Sequence, residues 1–216
     1  MKKIRCSIVF FLISTYFLQC HIFPEKDGSI TKLPLTPEKG KAIAAFAEGC
    51  FWCSEHIFES VLGVEEVISG YAGGHTADPT YDSVNTETTG HAETVYVIYD
   101  PKIISYKELC RVFFDSHDPT TLDRQGPDSG NSYRSILFYL TEEEKNIAYE
   151  IKRNYESEKR FPSPIVTEIK KLEAFYQAES YHQDFIKKNP NQSYVVNVSI
   201  PRYQLFRQTY KGKLKH

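Results

Sequence analysis

Along this chain the spacing of apolar residues switches between the two-residue repeat of strands and the wider repeat of helices. Lys41 to Glu48 (KAIAAFAE) is an almost unbroken apolar run and predicts a buried strand. Phe51 to Val61 predicts a helix with Ile57 and Phe58 facing inward, and Val64 to Ser69 a second strand that runs into the glycine-rich Gly70-Tyr71-Ala72-Gly73-Gly74. Residues 75–90 are polar and read as a long loop, a kind that usually carries function. His91 to Tyr99 alternates and stops at Asp100-Pro101, the pattern of a strand closed by a turn. From Ser105 to Asp115 the residues Tyr106, Leu109, Cys110, Phe113 and Phe114 share one helical face. Arg134 to Leu140 predicts another strand. Thr141 with Glu144 then forms a capping box, opening a helix whose buried stripe is Ile147, Ala148, Ile151 and Tyr155. Pro162 and Pro164 end that helix, Ile165 to Ile169 predicts a strand, and Glu179 to Lys188 a last short helix. No period is readable beyond it. This order predicts an α+β fold: a two-layer split βαβ (ferredoxin-like) core with long irregular loops and a C-terminal extension.

The first twenty residues follow a different pattern. Lys2, Lys3 and Arg5 precede an apolar run from Ile8 to Leu18 that ends at Cys20. A basic start followed by a short apolar stretch is the form of an export signal, too short for a comfortable membrane span. Phe17-Leu18-Gln19-Cys20 is a loose lipoprotein cleavage box, so residues 1–20 are expected to export the chain to the cell envelope and to anchor it there through a lipidated Cys20. An uncleaved anchor, or a start codon placed too early and a cytoplasmic protein, is the alternative. Residues 21–40, with Pro24, Pro34 and Pro37, read as a tether, and 41–216 as the catalytic domain. A length of 216 residues with 41% hydrophobic content allows one globular domain with an ample core. A formal net charge of -2 with scattered Lys and Arg gives no ground for a nucleic-acid partner, and a monomer is expected.

The chemistry concentrates in Gly49-Cys50-Phe51-Trp52-Cys53, where the first strand gives way to the first helix. A cysteine at a helix N-terminus meets the positive end of the backbone dipole and unsatisfied N–H donors, which favour the thiolate. Cys53 lies one turn on, with Cα atoms about 5 Å apart, within disulfide range. The segment therefore reads as a nucleophile with its own resolving thiol, beside an aromatic wall of Phe51 and Trp52. Two rival readings stand next to it. A thioredoxin-like motif normally has its tryptophan before the first cysteine, and a zinc site built on Cys50 and Cys53 lacks a second CxxC or a paired-His element. Cys110, on the apolar face of its helix, reads as a small buried hydrophobe. Glu93 is either the solvent face of its strand or a buried acid whose raised pKa keeps it protonated. Asp128 and Tyr133 sit in a Gly/Pro/Asp/Ser-rich loop that is by itself only turn chemistry. Phe175 to Gln183, including His182, reads equally as a helix start with inward aromatics.

Taken together, GCFW, the loop GYAGG followed by Pro79-Thr80-Tyr81 and TGHAE, the segment HDPTTLDRQGPDSGNSYRS, and AESYHQ resemble the A class of peptide methionine sulfoxide reductases. The matches keep the family's order and span nearly all of residues 43–205. The resemblance implies that Cys50 attacks the sulfur of a methionine S-sulfoxide, free or in an oxidised protein, and that Glu93 is the acid. It implies that Tyr81 and Tyr133 bind the oxygen, that Phe51 and Trp52 hold the methyl group, and that Asp128 and His182 support the pocket. No cofactor and no metal is implied. Attack leaves a sulfenic acid on Cys50, which a second thiol converts to a disulfide. Many family members use cysteines near the C-terminus, whereas the tail after Tyr203 has none, which leaves Cys53 as the expected resolving thiol and thioredoxin or a thioredoxin-like protein as the expected reductant.

Overall fold

The structure is a computed structural model that describes residues 30–215. The expected export signal, Cys20 and most of the tether lie outside the described residues. Among those residues no helix is long and apolar enough to cross a membrane. In chain order the strands and helices are β1 (Thr31–Lys32), β2 (Ala42–Glu48), α1 (Phe51–Glu59), β3 (Val64–Ala72), α2 (Tyr81–Val84), β4 (Ala92–Tyr99) and α3 (Tyr106–Ser116). There follow β5 (Arg124–Gln125), β6 (Asp128–Ser129), β7 (Ser135–Tyr139), α4 (Glu142–Ser157), β8 (Glu168–Lys171), β9 (Phe175–Gln177), α5 (Phe185–Lys188) and α6 (Ile200–Thr209).

Seven strands form one sheet in the order β1-β9-β3-β4-β2-β7-β8, and β5 pairs with β6 apart from it. All neighbours in the large sheet run antiparallel except β7 and β8. Alternate residues of a strand face opposite sides, and β2 shows this plainly. Ala44 and Phe46 enter the larger apolar cluster with residues of α1, α3, α4 and α6, while Ile43, Ala45 and Ala47 join Leu33, Leu172 and Phe175 on the other side. Because both faces are covered, β2 reads as a continuous apolar run rather than an alternating one. At its centre Phe46 stacks on Phe58 of α1 with ring centroids 4.8 Å apart. Full burial of such a ring contributes about 1.5–3 kcal/mol.

The expected elements are present with informative shifts. The capping box at Thr141 and Glu144 opens α4 through both of its reciprocal bonds. β3 continues to Ala72, into the glycine-rich run, because Gly70 gives room to β9: a Cβ there would stand 2.3 Å from the Tyr176 carbonyl oxygen. The strand expected at Ile165–Ile169 forms later, at Glu168–Lys171, where β7 offers a free edge. The helix expected from Glu179 to Lys188 divides at Asp184, whose left-handed φ of 54° interrupts it. Just before that break the Gln183 amide bonds to both backbone groups of Ser69, extending the edge of β3 with a side chain. Within the stretch expected to be tether, Thr31 and Lys32 pair with β9, Leu33 is buried, and Tyr96 Oη donates to the Pro34 carbonyl. The ordered unit therefore begins well before residue 41. The unplaced C-terminal region is a π-helical turn, Val195–Ser199, leading into α6 with Pro201 in its first turn, against α1 and α3.

Candidate active site

β2 ends at Glu48, and Gly49 turns the chain into α1 with φ +90°, a conformation that side chains rarely adopt. A Cβ at Gly49 would also stand 2.5 Å from Cβ of Gln125. The turn makes Cys50 the N-cap of α1, and its carbonyl accepts from the amides of Cys53 and Ser54. No side chain of the helix caps it. The Phe51 N–H instead donates to Glu93 Oε2 across 2.9 Å, so a carboxyl from β4 satisfies a helix donor that would otherwise be orphaned.

Glu93 is thus turned inward, not toward solvent, and is 3% exposed. Burial raises its pKa to about 8 against the opposing pull of the Phe51 amide, and the nearby Asp128 and Cys53 add to the rise. It is a neutral acid at pH 7. Burial, and after it proximity to Glu93 and Cys50, raises the Tyr81 and Tyr133 phenols so that they stay O–H donors. Glu179 fixes one side of this cluster: its carboxylate accepts from the Tyr81 amide and from Tyr71 Oη, both at 2.9 Å.

The aromatic residues form a connected group. Phe51 is buried, with its ring 5.8 Å from Tyr71 and 4.9 Å from His182. Trp52 is half-buried and lies flat on Phe185, with centroids 3.7 Å apart, while its Nε1 donates to His182 Nδ1 at 3.1 Å. That bond, with burial lowering the His182 pKa to about 4, makes His182 a neutral ring carrying its proton on Nε2. The Tyr81 ring is 4.6 Å from it. Asp128 accepts from Tyr194 Oη at 2.5 Å, and Tyr194 meets the Trp52 ring edge-on. Cys50, Phe51, Trp52, Cys53, Tyr81, Glu93, Asp128, Tyr133 and His182 therefore lie in one neighbourhood at the N-terminus of α1.

Both thiols of the turn are buried. The helix-end argument put the negative charge on Cys50, yet Cys50 is only 5% exposed and burial pushes its thiol well above the ordinary range. The neighbouring Cys50 brings the Cys53 thiol below the ordinary range, against the cost of burial, with Arg202, Ser199 and Tyr194 adding to the fall. Desolvation opposes the helix dipole at the N-cap. Cys110 is fully buried with a strongly raised thiol. Among the described residues no group of three or more His, Cys, Asp or Glu is arranged to hold a metal ion.

A family model described as peptide methionine sulfoxide reductase matches residues 42–214, which takes in every group just described. The chain belongs to the peptide methionine sulfoxide reductase family. It is 47% identical over 173 residues to a curated peptide methionine sulfoxide reductase of Saccharolobus solfataricus, covering 80% of this chain and 97% of that one. A second, of Synechocystis, is 42% identical over 206 residues and covers 95% and 94%. Among solved structures, Mxr1 of Saccharomyces cerevisiae in reduced form superimposes with a TM-score of 0.68 at 33% identity, covering 76% of this chain and 92% of that chain. Sequence reasoning missed Glu179, Tyr194, Ser199 and Arg202 as part of this reductase's site. Only Pro201, a helix-start signal, pointed toward the last two.

Proposed function

We propose that this chain reduces the S epimer of methionine sulfoxide, free or in oxidised proteins, at Cys50. The observation that carries the reading is a buried thiol at the start of α1 beside a neutral Glu93 that is bonded to the next amide. Sγ of Cys50 attacks the sulfoxide sulfur, and the oxygen, gaining charge, takes the Glu93 proton while Tyr81 and Tyr133 donate hydrogen bonds to it. Donors fixed in advance in a water-poor site typically contribute about 3–4 kcal/mol each. Phe51 and Trp52 hold the methyl group, with Asp128 and His182 supporting the pocket through Tyr194 and Trp52. Methionine leaves, Cys50 retains the oxygen as a sulfenic acid, and Cys53 displaces it as water to form a disulfide. A thioredoxin-like dithiol returns the pair to thiols. No cofactor takes part.

The strand order β3-β4-β2-β7, with α1 and α3 as the two crossovers, supports a ferredoxin-like split βαβ core. The basic start, the apolar run and Cys20 support export and a lipid anchor, which the intact mass of the native processed protein tests: an unprocessed, unlipidated chain contradicts it. Size and charge fit a monomer. The reading of the site is tested by Cys50→Ser. Methionine release from the S-sulfoxide should be abolished, and retained turnover would sink the assignment.

A further inference from the structure

Along one face of α1, Trp52, Glu55 and Glu59 each bond to the segment that follows β9, and the middle one is a buried acid that the reaction above leaves idle. Trp52 Nε1 donates to His182 Nδ1 at 3.1 Å, the Asp184 amide donates to Glu55 Oε1 at 3.1 Å, and Lys187 Nζ donates to Glu59 at 2.6 Å. The Lys187 side chain is 54% exposed, so its ion pair is screened and holds little. Glu55, in contrast, is 3% exposed. Burial raises its pKa to about 8 against the pull of the Asp184 amide, so at pH 7 an uncharged carboxyl accepts the bond.

The residue it holds is the left-handed Asp184, with φ 54° and ψ 30°. A side chain persists in that conformation only where its surroundings fix it. On one side of this turn Gln183 is tied to Ser69 of β3 and to the Ala178 carbonyl. On the other side Phe185 lies against Trp52, with centroids 3.7 Å apart and the ring planes within 6° of parallel. The turn at Asp184 thus carries the chain from its anchor on the sheet to the flat face of the indole. Trp52 is itself half-buried, so its orientation depends on what flanks it.

We propose that Glu55 is a positioning residue for the substrate pocket: by holding the Asp184 turn to α1 it keeps Phe185 stacked on Trp52 and so fixes the indole that meets the methyl group. The inference rests on the reading of Trp52 as part of the methyl-binding wall. Glu55 touches neither substrate nor thiol and acts only through Asp184, Phe185 and Trp52. Without an acceptor for its amide, the left-handed residue relaxes, Phe185 leaves the indole, and the wall loses its fixed distance from the methyl group.

Trp52 is the chain's only tryptophan, so its emission reports on this wall alone. The test pairs the emission spectrum of the reduced protein with single-turnover methionine release at rising concentrations of methionine S-sulfoxide. Glu55→Ala should shift the emission to the red, as the indole loses its cover. Its half-saturating concentration should rise about tenfold, the order of effect that a poorer fit in an apolar pocket produces. The plateau rate should stay within about twofold of wild type, because a wall on the methyl group binds substrate and transition state alike. Glu55→Gln keeps an oxygen for the Asp184 amide and should restore both readouts. Phe185→Leu, which removes the stack and spares the Glu55 bond, should reproduce the changes seen in Glu55→Ala. An unshifted emission or an unchanged half-saturation in Glu55→Ala, or in Phe185→Leu if the first variant does not fold, overturns the proposal. So does a Glu55→Gln protein as impaired as Glu55→Ala. Unchanged half-saturation in Trp52→Leu would instead defeat the underlying reading of the wall.

Discussion

At the scale of single residues, the site depends on burial outweighing the local electrostatics that the sequence suggests. Glu93 accepts from a helix N-terminus, which by itself lowers a carboxyl pKa, yet desolvation carries it up to about 8. The sign of the resulting pH dependence follows directly. The acid form is the useful one, so the reductase step should hold below pH 8 and fall as pH rises through it. Glu93→Gln keeps the shape and the acceptor for the Phe51 amide but has no proton to give. Single-turnover methionine release should fall by about 10²–10⁴ and lose its alkaline limb; an unchanged rate would remove Glu93 as the acid. That Glu93 points inward was not readable from its strand, where alternation allows either face. Its orientation is set by α1, which needs a cap that none of its own side chains provides.

At the scale of elements, the catalytic turn depends on Gly49. Residues 42–48 and 51–59 were legible as strand and helix because an apolar run and a helical stripe are local signals. The positive φ between them is what aims Cys50, and it comes with a close approach by Gln125 from the separate β5–β6 pair. Gly49→Ala should therefore destabilise the protein by about 1–3 kcal/mol and slow methionine release, as the turn and Gln125 move apart; thermal unfolding and single-turnover assays would detect both. A variant as stable and active as wild type would show that the turn tolerates a side chain. The C-terminal region was illegible for the opposite reason. Val195–Ser199 is a π-helical turn leading into α6, which packs on α1 and α3, and Ser199 and Arg202 contact groups 146 residues or more earlier in the chain. No local period announces such a contact. Likewise β1 and β9 are two and three residues long and exist only because each pairs with a neighbour.

At the scale of the whole molecule, one sheet brings the chemistry together from both of its ends. The strand β2 delivers the thiols, its neighbour β4 delivers the acid, and the segments after β9 close over them with His182, Tyr194 and Arg202. The short motifs were enough to suggest a family because each belongs to one of these contributors, whereas the long-range bonds that hold the contributors in register left no mark on any single segment. In the proposed reaction oxygen moves from the substrate to Cys50 and then to water. The most direct measurement is the intact and peptide-level mass of Cys53→Ser after one turnover with methionine S-sulfoxide, with released methionine counted in the same sample. The expected result is one equivalent of methionine and one added oxygen on Cys50, with the R epimer giving neither. Methionine released while Cys50 stays unmodified, or oxygen found on Cys110, would contradict it.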